Sequence, residues 1–95
     1  MANEMILEEL QATLAARRSA DPAASYTARL LAAGEDEIVK KIGEEAVEVI
    51  LAAKGQGDER LISETADLIY HVLVLLVSRD LGWEEVLQEL ARRRG

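Results

Sequence analysis

Five carboxylates in two clusters are the residues of this chain best suited to chemistry. "GEEAVEV", Gly43 to Val49, places Glu44, Glu45 and Glu48 within five residues, just after the basic pair Lys40-Lys41. Further on, "ETAD" places Glu64 and Asp67 three residues apart. On a helix, Glu44/Glu48 is an i,i+4 pair and Glu45/Glu48 an i,i+3 pair, so the three side chains share one neighbourhood. Glu64 and Asp67 lie about 60° apart on their own helical wheel. Oxygen-only ligation is what Mg²⁺, or alternatively Mn²⁺, prefers, and Mg²⁺ keeps open positions for water and phosphate oxygens. Two facing helices, one with ExxD and one with EExxE, can hold one or two such ions between them.

Each cluster also has a plainer explanation. Glutamate is a good helix former, and a charged turn usually faces water. Glu64 and Asp67 are harder to dismiss, because nearly every other position from Leu61 to Val77 is apolar. Unpaired carboxylates on a buried helix are costly and need a cation, a partner or a wet cleft. A structural salt bridge with Lys40, Lys41 or Lys54 is the competing explanation. Arg60 and Arg79 are the only cations on that helix, near its ends. His71, one turn beyond Asp67, reads as a hydrogen-bonded core histidine rather than a ligand, since Mg²⁺ rarely recruits imidazole. Tyr70 reads as packing.

These carboxylates require helices to position them. No segment alternates with period two, so an all-α domain is expected. The first helix runs from about Asn3 to Arg18. Ser25 caps a short helix through Ala33, ended by Gly34. The next runs from Glu35-Asp36 to Lys54 and is broken by "GQGD"; Asp58 caps a long helix ending near Arg79; Trp83 to Arg94 forms the last. On the Glu35–Lys54 wheel, Ile38, Val39, Ile42, Ala46, Val49, Ile50 and Ala53 fill an arc of about 120°, the expected core face. Glu45 falls at its edge. Val47 and Leu51 lie on the far side and suggest a second buried contact with another subunit. Gly43 costs about 1 kcal/mol against Ala mid-helix, which close helix approach would explain. The long helix is apolar around most of its girth and must be surrounded. So short a chain buries a limited share of its surface, so a homodimer or larger oligomer is expected.

The composition narrows the functional classes. Lys+Arg is 11 and Asp+Glu is 18, a formal charge of −7, which argues against a nucleic-acid binder. There is no cysteine and one histidine, excluding disulfides, thiolate sites and a multi-histidine zinc site within one chain. The N-terminus lacks the basic start of a secretory signal. The longest apolar run, Leu68 to Val77, is well short of the roughly 20 residues that span a bilayer. A single cytoplasmic domain, residues 1–95, without a membrane partner is the expectation. No GxxxxGK[ST] stretch exists, and no serine beside a base, so P-loop and covalent catalysis have no support. Arg29, Lys40, Lys41 and Lys54 are candidates for phosphate oxygens that a metal leaves uncovered.

"SYTARLLAAGEDEIVKKIGEEAVEVILAA", "ETADLIYHVLVLL" and "LGWEEVLQEL" together resemble the phosphoribosyl-ATP pyrophosphatases of histidine biosynthesis, within the MazG-like all-α nucleotide pyrophosphohydrolases. The resemblance spans about Met5 to Ala91. It implies a MazG-like bundle of four to five helices completed by homodimerisation. It implies hydrolysis of 1-(5-phosphoribosyl)-ATP to 1-(5-phosphoribosyl)-AMP and pyrophosphate. It further implies Mg²⁺ on Glu44, Glu45, Glu48, Glu64 and Asp67, with Glu44 or Glu45 activating the water. Two rival expectations are a house-cleaning hydrolase of nucleoside triphosphates and a non-catalytic helical dimerisation module with solvated acidic stripes.

Overall fold

Glycines and a serine punctuate the chain into helices. The computed structural model describes residues 3–94, so the outermost termini of the expected 1–95 domain lie outside the described residues. Five α-helices occur, α1 (Ile6–Ala16), α2 (Tyr26–Ala33), α3 (Glu35–Gly55), α4 (Asp58–Ser78) and α5 (Trp83–Arg92), with no strand among the described residues. α1 is shorter than the Asn3–Arg18 expectation, because its last residues tighten into a 3₁₀ turn, Arg17–Ser19.

Ser25 caps α2 as its sequence suggests, its hydroxyl accepting from the Ala28 N–H at 3.1 Å. Gly34, at φ +101°, lets α2 turn directly into α3. Gly57, at φ +89°, takes the N-cap place of α4, so Asp58 is the first helical residue and makes no side-chain cap. It still favours the helix through the dipole. At the far end of α4 the chain closes in a Schellman motif, with Leu81 N–H on the Leu76 carbonyl at 2.8 Å and Asp80 N–H on the Val77 carbonyl at 3.0 Å. Asp80 occupies the left-handed position at φ +59°. Arg18 clamps this turn, donating to the Val77 carbonyl and to Asp80 Oδ1.

α3 and α4 form an antiparallel hairpin through Gln56-Gly57. Its open end is tied by Arg79, whose guanidinium donates twice to Glu35 at 2.7 Å. Around this end the core collects: Leu14 from α1, Leu30 from α2, Ile38 from α3, and Leu73, Val74 and Val77 from α4. The loop end of the hairpin is uncovered. Ile50 is 60% exposed, Val47 52%, Leu51 47% and Ile62 70%.

Two expectations fail here for one reason. Val39 and Ile50, placed in the core arc from the wheel, are exposed, and Ala53 is too. The fully buried positions of α3 are Ile38 and Ala52, with Ile42 packed against the core. The inward face is thus rotated by about 70° from the arc, at 100° per residue. The wheel merged two apolar surfaces, one against α4 and one facing outward. Gly43 belongs to the outward one. Among the described residues nothing lies within 4 Å of the place its Cβ would take, so close approach within the chain does not explain it. Likewise α4 is not surrounded by its own chain. It is long and apolar enough by length and composition to cross a membrane, yet only 28% of that window is buried. The core helix of a water-soluble bundle passes the same test of length and composition.

Candidate metal centre

The rotated inward face of α3 brings Glu45 to face α4 rather than the edge of the core. There it meets Glu64 and Asp67, and one carboxylate oxygen of each lies within 4.8 Å of the others. Glu64 is buried, Glu45 half-buried and Asp67 exposed, so the triad opens to solvent on the Asp67 side. Oxygens sharing one Mg²⁺ stand about 3–4 Å apart, given bonds of about 2.1 Å. The three carboxylates are therefore at the loose edge of that spacing, and their donor set is that of a hard divalent cation.

Two cations counter the three carboxylates in part, Arg60 beside Glu64 and Lys41 within electrostatic reach of Glu45. Arg60 Nε lies 3.1 Å from Glu64 Oε2, one turn earlier on α4. The structural salt bridge of Glu64 is thus made by Arg60, not by Lys40, Lys41 or Lys54. The i,i+4 spacing was legible in the sequence. Arg60's side chain is 57% exposed, so its charge is screened by water and leaves the triad net anionic. A fully solvated acidic stripe is inconsistent with Glu64, which is 6% exposed.

The other sequence candidates are distributed around the triad. Glu44 sits further around α3, its side chain half-exposed, with Oε1 3.3 Å from Lys41 Nζ. Glu48 is half-buried and stands outside the triad. The Lys41 ammonium is held above the usual lysine range, first by its hydrogen bond to Glu44 and then by the nearby Tyr26 and Glu45. Lys41 and Arg29 line one pocket of about 270 Å³ with Tyr26, Leu30, Ala33 and Glu37. Arg29 lies 5.7 Å over the Tyr26 ring and donates to the Pro22 carbonyl at 3.2 Å. Two of the four phosphate candidates therefore share a cavity. Lys40 is exposed outside that lining, and Lys54 stands about 13 Å beyond Glu45 along α3 at 1.5 Å per residue.

His71 is the hydrogen-bonded core histidine expected, 7% exposed. Nδ1 is 2.8 Å from the Asp67 carbonyl, which can only accept, so Nδ1 carries the proton. In the neutral ring Nε2 then accepts from the Tyr26 hydroxyl, also at 2.8 Å. Tyr70 does more than pack, because its hydroxyl bonds Thr27 Oγ1. Burial pushes the Tyr26 phenol up, with Lys41 opposing and Tyr70 and Glu45 adding to the rise. Tyr26 and Glu37 were missed as pocket residues. A local signal existed, since Glu37 is i,i+4 to Lys41 and Tyr26 is i,i+3 to Arg29, each on the same helix as its partner.

Comparison with known proteins finds relatives that match nearly the whole chain. The family model for phosphoribosyl-ATP pyrophosphohydrolase matches residues 7–94. A phosphoribosyl-ATP pyrophosphatase of Trichlorobacter lovleyi is 54% identical over 93 residues, covering 98% of this chain and 86% of that protein. One from Erythrobacter litoralis is 53% identical, covering 94% and 86%. One from Dechloromonas aromatica is 52% identical over 95 residues, covering 100% and 88%.

Proposed function

This chain belongs to the phosphoribosyl-ATP pyrophosphohydrolase family, and on that premise we propose that Glu45, Glu64 and Asp67 hold Mg²⁺ beside a phosphate pocket containing Arg29 and Lys41. The chain is a hydrolase of histidine biosynthesis, cleaving 1-(5-phosphoribosyl)-ATP to 1-(5-phosphoribosyl)-AMP and pyrophosphate. The observation that carries the site reading is the convergence of three carboxylates from two helices around one point. Mn²⁺ suits the same donors. Bound there, the ion supplies Lewis-acid polarisation of phosphoryl oxygens and offsets the charge that builds on the leaving pyrophosphate.

The protein side chains have separable tasks. Arg29 and Lys41 meet phosphate oxygens in the pocket, Arg29 already held in place by Tyr26 and the Pro22 carbonyl. Lys40 and Lys54, which do not line that pocket, take at most the outer phosphates. Glu48 flanks the triad on α3. Either Glu44 or Glu45 accepts the proton of the attacking water, and these alternatives give different kinetics. Glu44→Gln lowers kcat about a hundredfold with Mg²⁺ dependence unchanged if Glu44 is the base. Glu45→Gln lowers the apparent Mg²⁺ affinity through loss of a ligand. If both variants keep full turnover and unchanged Mg²⁺ dependence, neither carboxylate has the role.

A substrate panel tests the reading as a whole. Pyrophosphate release is measured from phosphoribosyl-ATP, dCTP, dUTP and ATP, with Mg²⁺ and with chelator. Turnover of phosphoribosyl-ATP alone, abolished by chelator, is the expected pattern. Faster turnover of a canonical triphosphate would make the chain a house-cleaning enzyme on this family's scaffold. The functional unit proposed is a homodimer in the cytoplasm, with neither nucleic acid nor membrane as partner. As a biosynthetic enzyme of this family the chain is expected to be soluble.

A further inference from the structure

We propose that Tyr26 and His71 are positioning residues, whose hydrogen bond fixes the spacing between the cationic pocket and the carboxylate triad. The proposal rests on the metal reading above. α2 is a short helix, Tyr26–Ala33, and it carries Arg29. α4 carries Glu64 and Asp67. Two adjacent residues of α2 bond two adjacent residues of α4: Thr27 to Tyr70, and Tyr26 to His71. The two bonds differ in kind. Thr27 is buried, and its bond to Tyr70 satisfies polar groups inside the fold. Tyr26 is 42% exposed, and its ring forms a pocket wall under Arg29.

His71 makes the link directional. Its Nδ1–H is committed to the Asp67 carbonyl, so Nε2 is left as a fixed acceptor pointing to α2. A hydrocarbon of similar size would fill the space without defining where the phenol sits. A continuous series of contacts, Arg29 to Tyr26 to His71 to the Asp67 turn, therefore runs from the pocket to the triad. A substrate with a triphosphate must engage both ends at once, and a shift of about 1 Å between them weakens phosphate binding equally in the ground state and the transition state.

The experiment compares Tyr26→Phe, His71→Gln and the double variant with wild type, using phosphoribosyl-ATP kinetics, thermal melting and Mn²⁺ titration of the substrate-free protein. Tyr26→Phe removes one hydroxyl and leaves the ring, so folding is retained. The expected result is a KM raised about tenfold with kcat within about twofold, because positioning of the bound phosphates is lost while the reacting groups remain. His71→Gln gives a similar KM, and the double variant loses no more than either single one, as two ends of one interaction require. Mn²⁺ affinity stays at the wild-type value in Tyr26→Phe. ¹⁵N chemical shifts of the wild-type ring show the proton on Nδ1. An unchanged KM in Tyr26→Phe, losses that multiply in the double variant, or a proton on Nε2 would each overturn the proposal. A wild-type protein that takes up no Mn²⁺ overturns the metal reading instead, since the KM comparison makes no reference to the ion.

Discussion

Asp67→Asn is expected to lower turnover roughly a thousandfold while raising the melting temperature of the metal-free protein. The two effects have one origin. Without an ion, Glu45, Glu64 and Asp67 repel one another across less than 4.8 Å, and Arg60 offsets only part of that charge. Neutralising the exposed member relieves the repulsion at little desolvation cost. With Mg²⁺ the sign reverses. A ligand that binds only the folded state at a hundred times its Kd stabilises by about 2.7 kcal/mol, and the variant forfeits most of that gain. Melting curves of both proteins, with Mg²⁺ and with chelator, therefore cross: the variant melts higher in chelator and lower in Mg²⁺. Glu64→Gln loses activity to a similar degree but does not melt higher in chelator, because Glu64 is buried against Arg60 and its charge is already paired. If Mg²⁺ raises the melting temperature of Asp67→Asn as much as that of wild type, Asp67 is no ligand.

The residues that made this site legible in sequence were those whose partners are one or two helical turns away. Ser25, Gly34 and the EExxE and ExxD spacings act locally, and the structure places the helices where they imply. Glu64 with Arg60 was equally local, yet the lysines of α3 were weighed as its partners and Arg60 was not. What sequence did not give was rotation. The wheel of α3 centred its apolar arc on Ala46 and Ala53 and left Glu45 at the edge. The packed helix turns Glu45 inward, between Ile38, Ile42 and Ala52, because Val39 and Ile50 belong to a different surface. A single wheel cannot separate two apolar surfaces on one helix. Nor can spacing reveal the Tyr26–His71 bond, whose partners are 45 residues apart and joined only by how α2 lies on α4.

That second surface carries the other large prediction, that Val47→Lys with Leu51→Lys converts the proposed dimer into a monomer. Val39, Gly43, Val47, Ile50 and Leu51 form an outward stripe on α3, and Ile62 of α4 is 70% exposed beside the same end of the hairpin. Monomeric proteins rarely expose a contiguous apolar stripe of this kind. Burying each such side chain is worth about 1.5–3 kcal/mol, and in a two-fold dimer every substitution acts twice. Two lysines per chain should therefore weaken association by at least about a thousandfold, read by light scattering across a dilution series. Gly43→Leu sharpens the test. Within the chain there is open space at Gly43, and Leu is the better helix former by close to 1 kcal/mol, so the isolated fold is not harmed. If a second copy lies closely over Gly43, this apolar substitution also breaks the dimer, the opposite of what added hydrophobic surface alone would do. A dimer that tolerates both the lysine pair and Gly43→Leu must be built on another face, and the uncovered flank of α4 would then need a different partner.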